Sequence, residues 1–318
     1  MFTLSNSQNT PRKIVYLINP VSGIKKKSSL LELIIKKTTE RKIDYDIVST
    51  NAEGRYDFLK EKIATEKITD VIVCGGDGTV NAVAAALADV GVSIGIIPVG
   101  SGNGLAFAAK IPKRPSKALE VVFEGCAQYI DGFYVNNQFS CMLCGIGFDA
   151  LVAHEFAKQK RRGLQTYMKV SLLNFFKAQP YLFDIIHDDI TFSARAFLIT
   201  VSNSNQFGNN FTIAPKASLT DGLLDVVIIK DINKFILPFS ALRQITGIND
   251  MQDIREISTK KNVLYFQTPA LTIINKNMAP LHIDGEPYKT ADLFRIKIIP
   301  KAIRLIQPSR RDSPIHQQ

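Results

Sequence analysis

The stretch "VIVCGGDGTVNAVAAAL" (71–87) sets two adjacent glycines, an aspartate and a third glycine between an apolar run and an alanine-rich one. The apolar run reads as a buried strand and the segment from Thr79 as a helix, so Gly75, Gly76 and Gly78 form the turn between them. Glycine there lets a ligand approach main-chain N–H groups without a Cβ in the way. A helix start supplies unpaired N–H groups and a favourable dipole for an anion. A second loop of this kind, "GSGNG" (100–104), follows the strand "SIGIIPVG". Two phosphate cradles on neighbouring strands imply a polyphosphate ligand.

Neither loop matches the common fingerprints. Asn81 stands where the dinucleotide pattern needs its third glycine, and no G-K-[ST] follows as in a P-loop. An acid among phosphates is repulsive unless a divalent cation or a departing proton accompanies it, so Asp77 fits a magnesium nucleotide. On residue types alone, a tight turn with Asp77 capping its helix remains the alternative.

Outward from this stretch the first third alternates strands and helices. Strands are expected at 13–20, 43–50, 70–76 and 93–100, and helices at 28–42, 55–67, 79–90, 103–111 and 116–125. That succession predicts a parallel sheet with helices on both faces, and ligands in such sheets bind beyond the carboxyl ends of the strands. After residue 126 the pattern changes. Hairpin strands at 127–135 and 138–148, a helical stretch at 150–178 and strands at 182–189, 190–203, 222–230, 263–275, 281–286 and 293–300 predict a mainly antiparallel β domain. One further helix is expected at 233–247 and a disordered tail at 309–318. The expected domains are 1–126 and 127–300, with 301–318 able to return to the first.

The 318 residues are 46% hydrophobic and 21% charged, as in a globular protein. The longest uncharged run, Val90 to Ala109, holds five glycines and a proline and would make a poor transmembrane helix. The N-terminus has no apolar stretch after a basic start, so a cytoplasmic protein is expected. A net charge of +10 favours phosphorylated ligands, an anionic membrane surface or nucleic acid without choosing among them. Cys141 and Cys144 form a lone C-x-x-C inside an apolar run and read as core residues. His154, His187, His282 and His316 form no metal-ligand spacing and receive no role.

Three more motifs make the pattern specific. "INPVSG" (18–23), "GGDGTVN" (75–81) and "PVGSGN" (98–103), followed by "FGNNFTIAPKASLTDGLLDVVII" (207–229) and "HIDGE" (282–286), resemble the diacylglycerol kinase catalytic-domain family, which includes bacterial lipid kinases and the sphingosine and ceramide kinases. The motifs occur in the family's order from about residue 13 to 305. The resemblance implies an α/β nucleotide-binding domain, a β-sandwich, and an active site in the cleft between them. It implies ATP and Mg2+ as cofactors and a membrane lipid as acceptor, with no nucleic acid as partner and a homodimer left open. Asn19, Pro20, Ser22 and Gly23 would line the nucleotide site, with Thr50 after the second strand. Gly75, Gly76, Asp77, Gly78, Thr79 and Asn81 would cradle the phosphates, and Ser101, Gly102 and Asn103 would complete that wall. Asp221 with the carbonyls of Ser218 and Leu223 would hold a structural magnesium. Asp284 and Glu286 would face the acceptor hydroxyl, with Glu286 as general base.

The stretch 149–179 joins Lys158, Lys160, Arg161 and Arg162 to an apolar run with Leu172, Leu173, Phe175 and Phe176. It reads either as a surface resting on anionic headgroups at the inner membrane or as a packed helix with a solvated basic face. The acids that sphingosine kinases carry after their "GF" element are absent, since Leu151 and Ala153 stand there, although Asp149 is close. A neutral alcohol such as diacylglycerol is therefore the expected acceptor. A sphingoid lipid kinase, an NAD kinase and a non-catalytic nucleotide-binding regulator are the alternatives.

Overall fold

The structure, a computed structural model, describes residues 11–18, 24–51, 53–159, 163–206, 213–231, 233, 236, 240, 243–244, 246–247, 249–254 and 261–309. The first half is a parallel sheet in the order β2 (Asp44–Ser49), β1 (Lys13–Ile18), β3 (Asp70–Gly75), β4 (Ser93–Pro98). The helices α1 (Ile24–Glu40), α2 (Phe58–Glu66), α3 (Asp77–Leu87), α4 (Gly104–Ala108) and α5 (Pro115–Glu124) connect and follow these strands. Strands β3 and β4 are buried almost throughout, as their unbroken apolar runs require between two helix layers. Gly75 pairs with Pro98 across β3 and β4, so the two glycine turns leave the sheet side by side at its carboxyl edge.

The second half is antiparallel: β5 (Cys126–Val135), β6 (Gln138–Ser140), β7 (Leu143–Gly147), β8 (Tyr181–His187), β9 (Ile190–Ser202), β10 (Leu224–Lys230), β11 (Val263–Thr268), β12 (Ala270–Asn275), β13 (Leu281–Ile283), β14 (Glu286–Tyr288) and β15 (Leu293–Gln307). Its inward faces form a separate core around Phe183, Phe266 and Phe294. The chain thus adopts the expected fold class, a parallel α/β part followed by a β-sandwich. Strand β15 joins the halves. Its first part pairs with β12, Ile296–Ile299 and Ile303–Gln307 pair with β5, and Arg304 and Leu305 pair in parallel with Ser93 and Ile94 of β4. The strand continues to Gln307 instead of stopping at 300, through a register shift between Ile299 and Ile303 where Lys301 takes φ 55. Asp131 of β5 accepts the Lys301 N–H there (2.8 Å), satisfying a donor that the shift removes from the ladder.

Other expectations are corrected. The run 263–275 is the two strands β11 and β12, and the strand expected at 281–286 stops at Ile283, before Asp284 and Gly285 turn the chain into β14. The run 138–148 is two strands, because Cys141 and Met142 leave the sheet to bond Asn81 of α3 and the Asn203 and Ser204 N–H groups. The helical stretch is also two elements, α6 (Phe148–Ala157) and α7 (Leu164–Phe175), the second entered through Gly163 at φ 126. Most of the expected helix at 233–247 and all but Ser309 of the expected tail lie outside the described residues. No helix among the described residues is long and apolar enough to cross a membrane.

Candidate active site

The two glycine turns touch backbone to backbone. A Cβ on Gly100 would stand 2.4 Å from Gly76 Cα, and one on Gly102 would stand 2.7 Å from Asp77 Oδ2. The backbone approach at Gly76 and Gly100 leaves no room for a side chain, and the first N–H groups of α3 have no partner within the helix. Gly76 is the N-cap of α3 without a side-chain cap. Asp77 does not cap its own helix: its Oδ1 accepts the Leu105 N–H of α4 (3.4 Å), and burial raises its carboxyl above the ordinary range against the pull of neighbouring N–H groups. Asn103, at φ 57, closes the second loop on itself. Its Oδ1 accepts the Gly100 N–H (3.0 Å) and its Nδ2 donates to the Gly100 carbonyl (2.8 Å). Thr79 packs one turn above Gly75, and Thr50 directly follows β2 with its N–H donated to Ile18 O (3.0 Å), at the same carboxyl edge of the sheet.

From the β-sandwich side, the turn between β13 and β14 reaches this edge. Its Asp284 takes φ 50 and Gly285 φ 81, so the tight bend depends on a residue tolerant of the left-handed region followed by glycine. Asp284 is buried, and its Oδ1 accepts Ser140 Oγ–H (2.7 Å) and the Leu143 N–H (3.0 Å). Its Oδ2 is buried without a hydrogen-bond partner in the structure. Burial, opposed by those two bonds and aided by the negative charge of Asp77, pushes the Asp284 carboxyl up to about 7. Glu286 is exposed at the start of β14, and its Oε1 would lie 3.8 Å from a Cβ on Gly78. The structure therefore brings Asp77, Gly78, Asp284 and Glu286, separated by about two hundred residues of chain, to one cleft. Asn81 clasps the two sides: its Nδ2 donates to Phe139 O (3.0 Å) and its Oδ1 accepts the Cys141 N–H (3.2 Å).

Asn81 and Asn103 thus hold backbone, whereas the glycines, Asp77 and Glu286 face the cleft. Ser101 is exposed in its loop. Asn19, Pro20, Ser22 and Gly23 lie outside the described residues. Ser218, Asp221 and Leu223 sit in the loop before β10, anchored to β5: Asp131 Oδ2 accepts the Gly222 N–H (2.8 Å) and the Asp131 N–H donates to Leu219 O (2.7 Å). Burial, with a contribution from Asp131, raises the Asp221 carboxyl. Among the described residues no group of three or more His, Cys, Asp or Glu side chains could hold a metal ion. A cation would therefore depend on carboxyl pairs, carbonyls and the ligand's phosphates. Sequence reading missed Ser140, Asp149, His282 and Asp131, whose partners are remote in sequence; only the strand pairing of the sandwich reveals them.

Residues 13–135 match the model of the diacylglycerol kinase catalytic domain, and residues 143–307 match that of the YegS C-terminal NAD kinase beta sandwich-like domain. A protein of Pectobacterium atrosepticum named "Probable lipid kinase YegS-like" is 33% identical over 250 residues, covering 76% of this chain and 79% of the relative. Its namesake in Shewanella frigidimarina is 29% identical over 269 residues, covering 82% and 83%. The crystal structure of a diacylglycerol kinase from Bacillus anthracis superposes with a TM-score of 0.70 at 18% identity, over 93% of this chain and 97% of that one, which is a likeness of fold.

Proposed function

This chain belongs to the diacylglycerol kinase catalytic domain family, and from that premise we propose that it is an ATP-dependent lipid kinase whose acceptor is diacylglycerol. The observation that carries the reading is the meeting of the Asp77 glycine turn with the Asp284–Glu286 turn across one cleft. Residues 1–126 are assigned the nucleotide and 127–300 the lipid. The pairing of Arg304 and Leu305 with β4 supports a return of the C-terminal segment to the nucleotide half.

The first N–H groups of α3, without partners in the helix, suit the phosphates of ATP. Two raised carboxyls, Asp77 and Asp284, one with a bare buried oxygen, fit a site that a divalent cation completes. Asp221 beside Asp131 fits the structural cation. Magnesium at Asp77 would neutralise charge on the transferring phosphoryl group. Glu286, exposed over Gly78, is assigned the acceptor hydroxyl's proton as that oxygen bonds to the γ-phosphorus and the bond to ADP breaks. A neutral acceptor is favoured because Asp149, the acid nearest the position of a sphingoid counter-ion, is buried against His282 and Thr200.

A membrane contact belongs to this reading. Met168, Leu172 and Leu173 of α7 and Phe176 at its C-cap are each 60–68% exposed and lie together with exposed Lys169 and Lys177. Apolar side chains beside lysines suit an anionic lipid surface. Lys158 is paired with Glu155 (2.6 Å), while Lys160, Arg161 and Arg162 lie outside the described residues.

The test is phosphoryl transfer from labelled ATP to dispersed diacylglycerol, to sphingosine and to NAD, with wild type, Asp77→Asn and Glu286→Gln. Labelled phosphatidic acid from wild type and a fall of about 10²–10⁴-fold in both variants are expected. Labelling of NAD or sphingosine instead, or full activity in both variants, overturns the assignment.

A further inference from the structure

Behind the Asp284–Glu286 turn lies a buried pair that the proposed chemistry does not use. Strand pairing sets Thr200 of β9, Gly145 of β7 and His282 of β13 in one row across three strands. Asp149, in the first turn of α6, fills the space that Gly145 leaves empty: a Cβ at Gly145 would stand 2.0 Å from Asp149 Oδ2 and 2.4 Å from His282 Nε2. In that space His282 Nε2 lies 3.4 Å from Asp149 Oδ2, which also accepts Thr200 Oγ–H (3.2 Å), while Asp149 Oδ1 accepts the Ala150 N–H (2.8 Å). Both Asp149 and His282 are buried. The other ring nitrogen points to the turn, where His282 Nδ1 accepts the Gly285 N–H (3.2 Å).

The Gly285 N–H fixes the ring's tautomer, and the Asp149 carboxyl at 3.4 Å favours it through its charge. Nδ1 accepts a backbone N–H, so it carries no proton, and the ring proton sits on Nε2 facing the Asp149 carboxyl. We propose that Asp149 and His282 are positioning residues for phosphoryl transfer: Asp149 favours the Nε2–H tautomer, and His282 thereby holds Gly285 so that Asp284 and Glu286 meet the glycine turn. The inference rests on the assignment of those two acids to the acceptor hydroxyl. A second tie from the same helix reinforces it, since His154 Nε2–H donates to Leu281 O (2.9 Å), and α6 so holds β13 at two consecutive residues, Leu281 and His282. Gly285 has φ 81 and open space around it, so side-chain packing does not restrain it; Leu143 and Ser140 hold Asp284, and the His282 bond holds Gly285.

The experiment has two readouts. In wild type, ¹⁵N-labelled His282 is expected as the Nε2–H tautomer, with a slowly exchanging Gly285 amide. In Asp149→Asn, whose amide must place an NH2 toward either His282 or the Ala150 N–H, the tautomer shifts and Gly285 exchanges faster. Kinetically, Asp149→Asn and His282→Phe lower kcat about 10–100-fold with KM for ATP within about threefold, as expected for misplaced acceptor-side groups. His282→Asn, which returns an acceptor near the Nδ1 position, recovers most of the loss. Wild-type kcat in folded His282→Phe, or an unprotected Gly285 amide with the Nδ1–H tautomer in wild type, overturns the proposal. If His282→Phe does not fold, the volume-conserving Asp149→Asn decides. The magnetic resonance readout needs no substrate, so a wrong acceptor shows as an inactive wild type with the tautomer intact, apart from a failure of the positioning role.

Discussion

Replacing Asp284 with Asn separates what this residue costs the fold from what it does in the cleft. The wild-type carboxyl moves from 3.8 to about 7 on folding, chiefly through burial. Its folded value is raised, so the native state keeps a proton that the unfolded chain releases between those values. Stability from this group is therefore full below pH ~4, falls as the pH rises toward 7, and stays low above it. At ~1.4 kcal/mol per pH unit, ionised Asp284 weakens the folded state by about 4 kcal/mol at pH 8. Asparagine accepts Ser140 Oγ–H and the Leu143 N–H through its Oδ1, tolerates φ 50, and cannot ionise. Urea denaturation of both proteins from pH 4 to pH 8 reads the difference, in which the titrations of groups remote from Asp284 cancel. The variant should match wild type near pH 4, exceed it by about 2–4 kcal/mol at pH 8, and lose phosphoryl transfer throughout. A stability difference that stays flat across this range, or an Asn variant weaker than wild type at pH 8, would falsify the reasoning.

Gly102→Ala puts a Cβ 2.7 Å from Asp77 Oδ2; it should displace that carboxyl and cut turnover by about 10–10³-fold while costing about 1–3 kcal/mol of stability, and a melt paired with the kinase assay checks both. Undiminished turnover would mean that Asp77 has no fixed role. Leu172→Glu combined with Phe176→Glu removes two exposed apolar side chains of the α7 patch. Vesicle sedimentation should then report about 10²–10⁴-fold weaker binding to anionic liposomes, as the loss of ~1.5–3 kcal/mol for each of two buried apolar side chains implies, with activity on a dispersed short-chain acceptor retained. Equal liposome binding by the double variant would reject the patch as a membrane contact.

The alternation of β-branched runs with helical patterns before residue 126, and of short strands after it, was legible because burial on two faces and on one face leave different periodicities. The glycine turns were legible for a local reason as well: only glycine permits the backbone approach of Gly76 to Gly100. Tertiary structure decided the rest. It split 138–148 at Cys141 because Asn81 of α3 needed that backbone, and it carried β15 through Lys301 into the parallel sheet because Asp131 could satisfy the displaced N–H. Asp77 looked able to cap its own helix, and only the packing of the two loops turned it toward α4. His282 lay inside the "HIDGE" motif and Asp149 beside the "GF" element, yet nothing local paired them, because what brings them together is the empty space over Gly145 between strands far apart in the chain. Local sequence fixes backbone conformation over a few residues, whereas the burial and charge of Asp284 arise from side chains that meet only when the two halves close on one another.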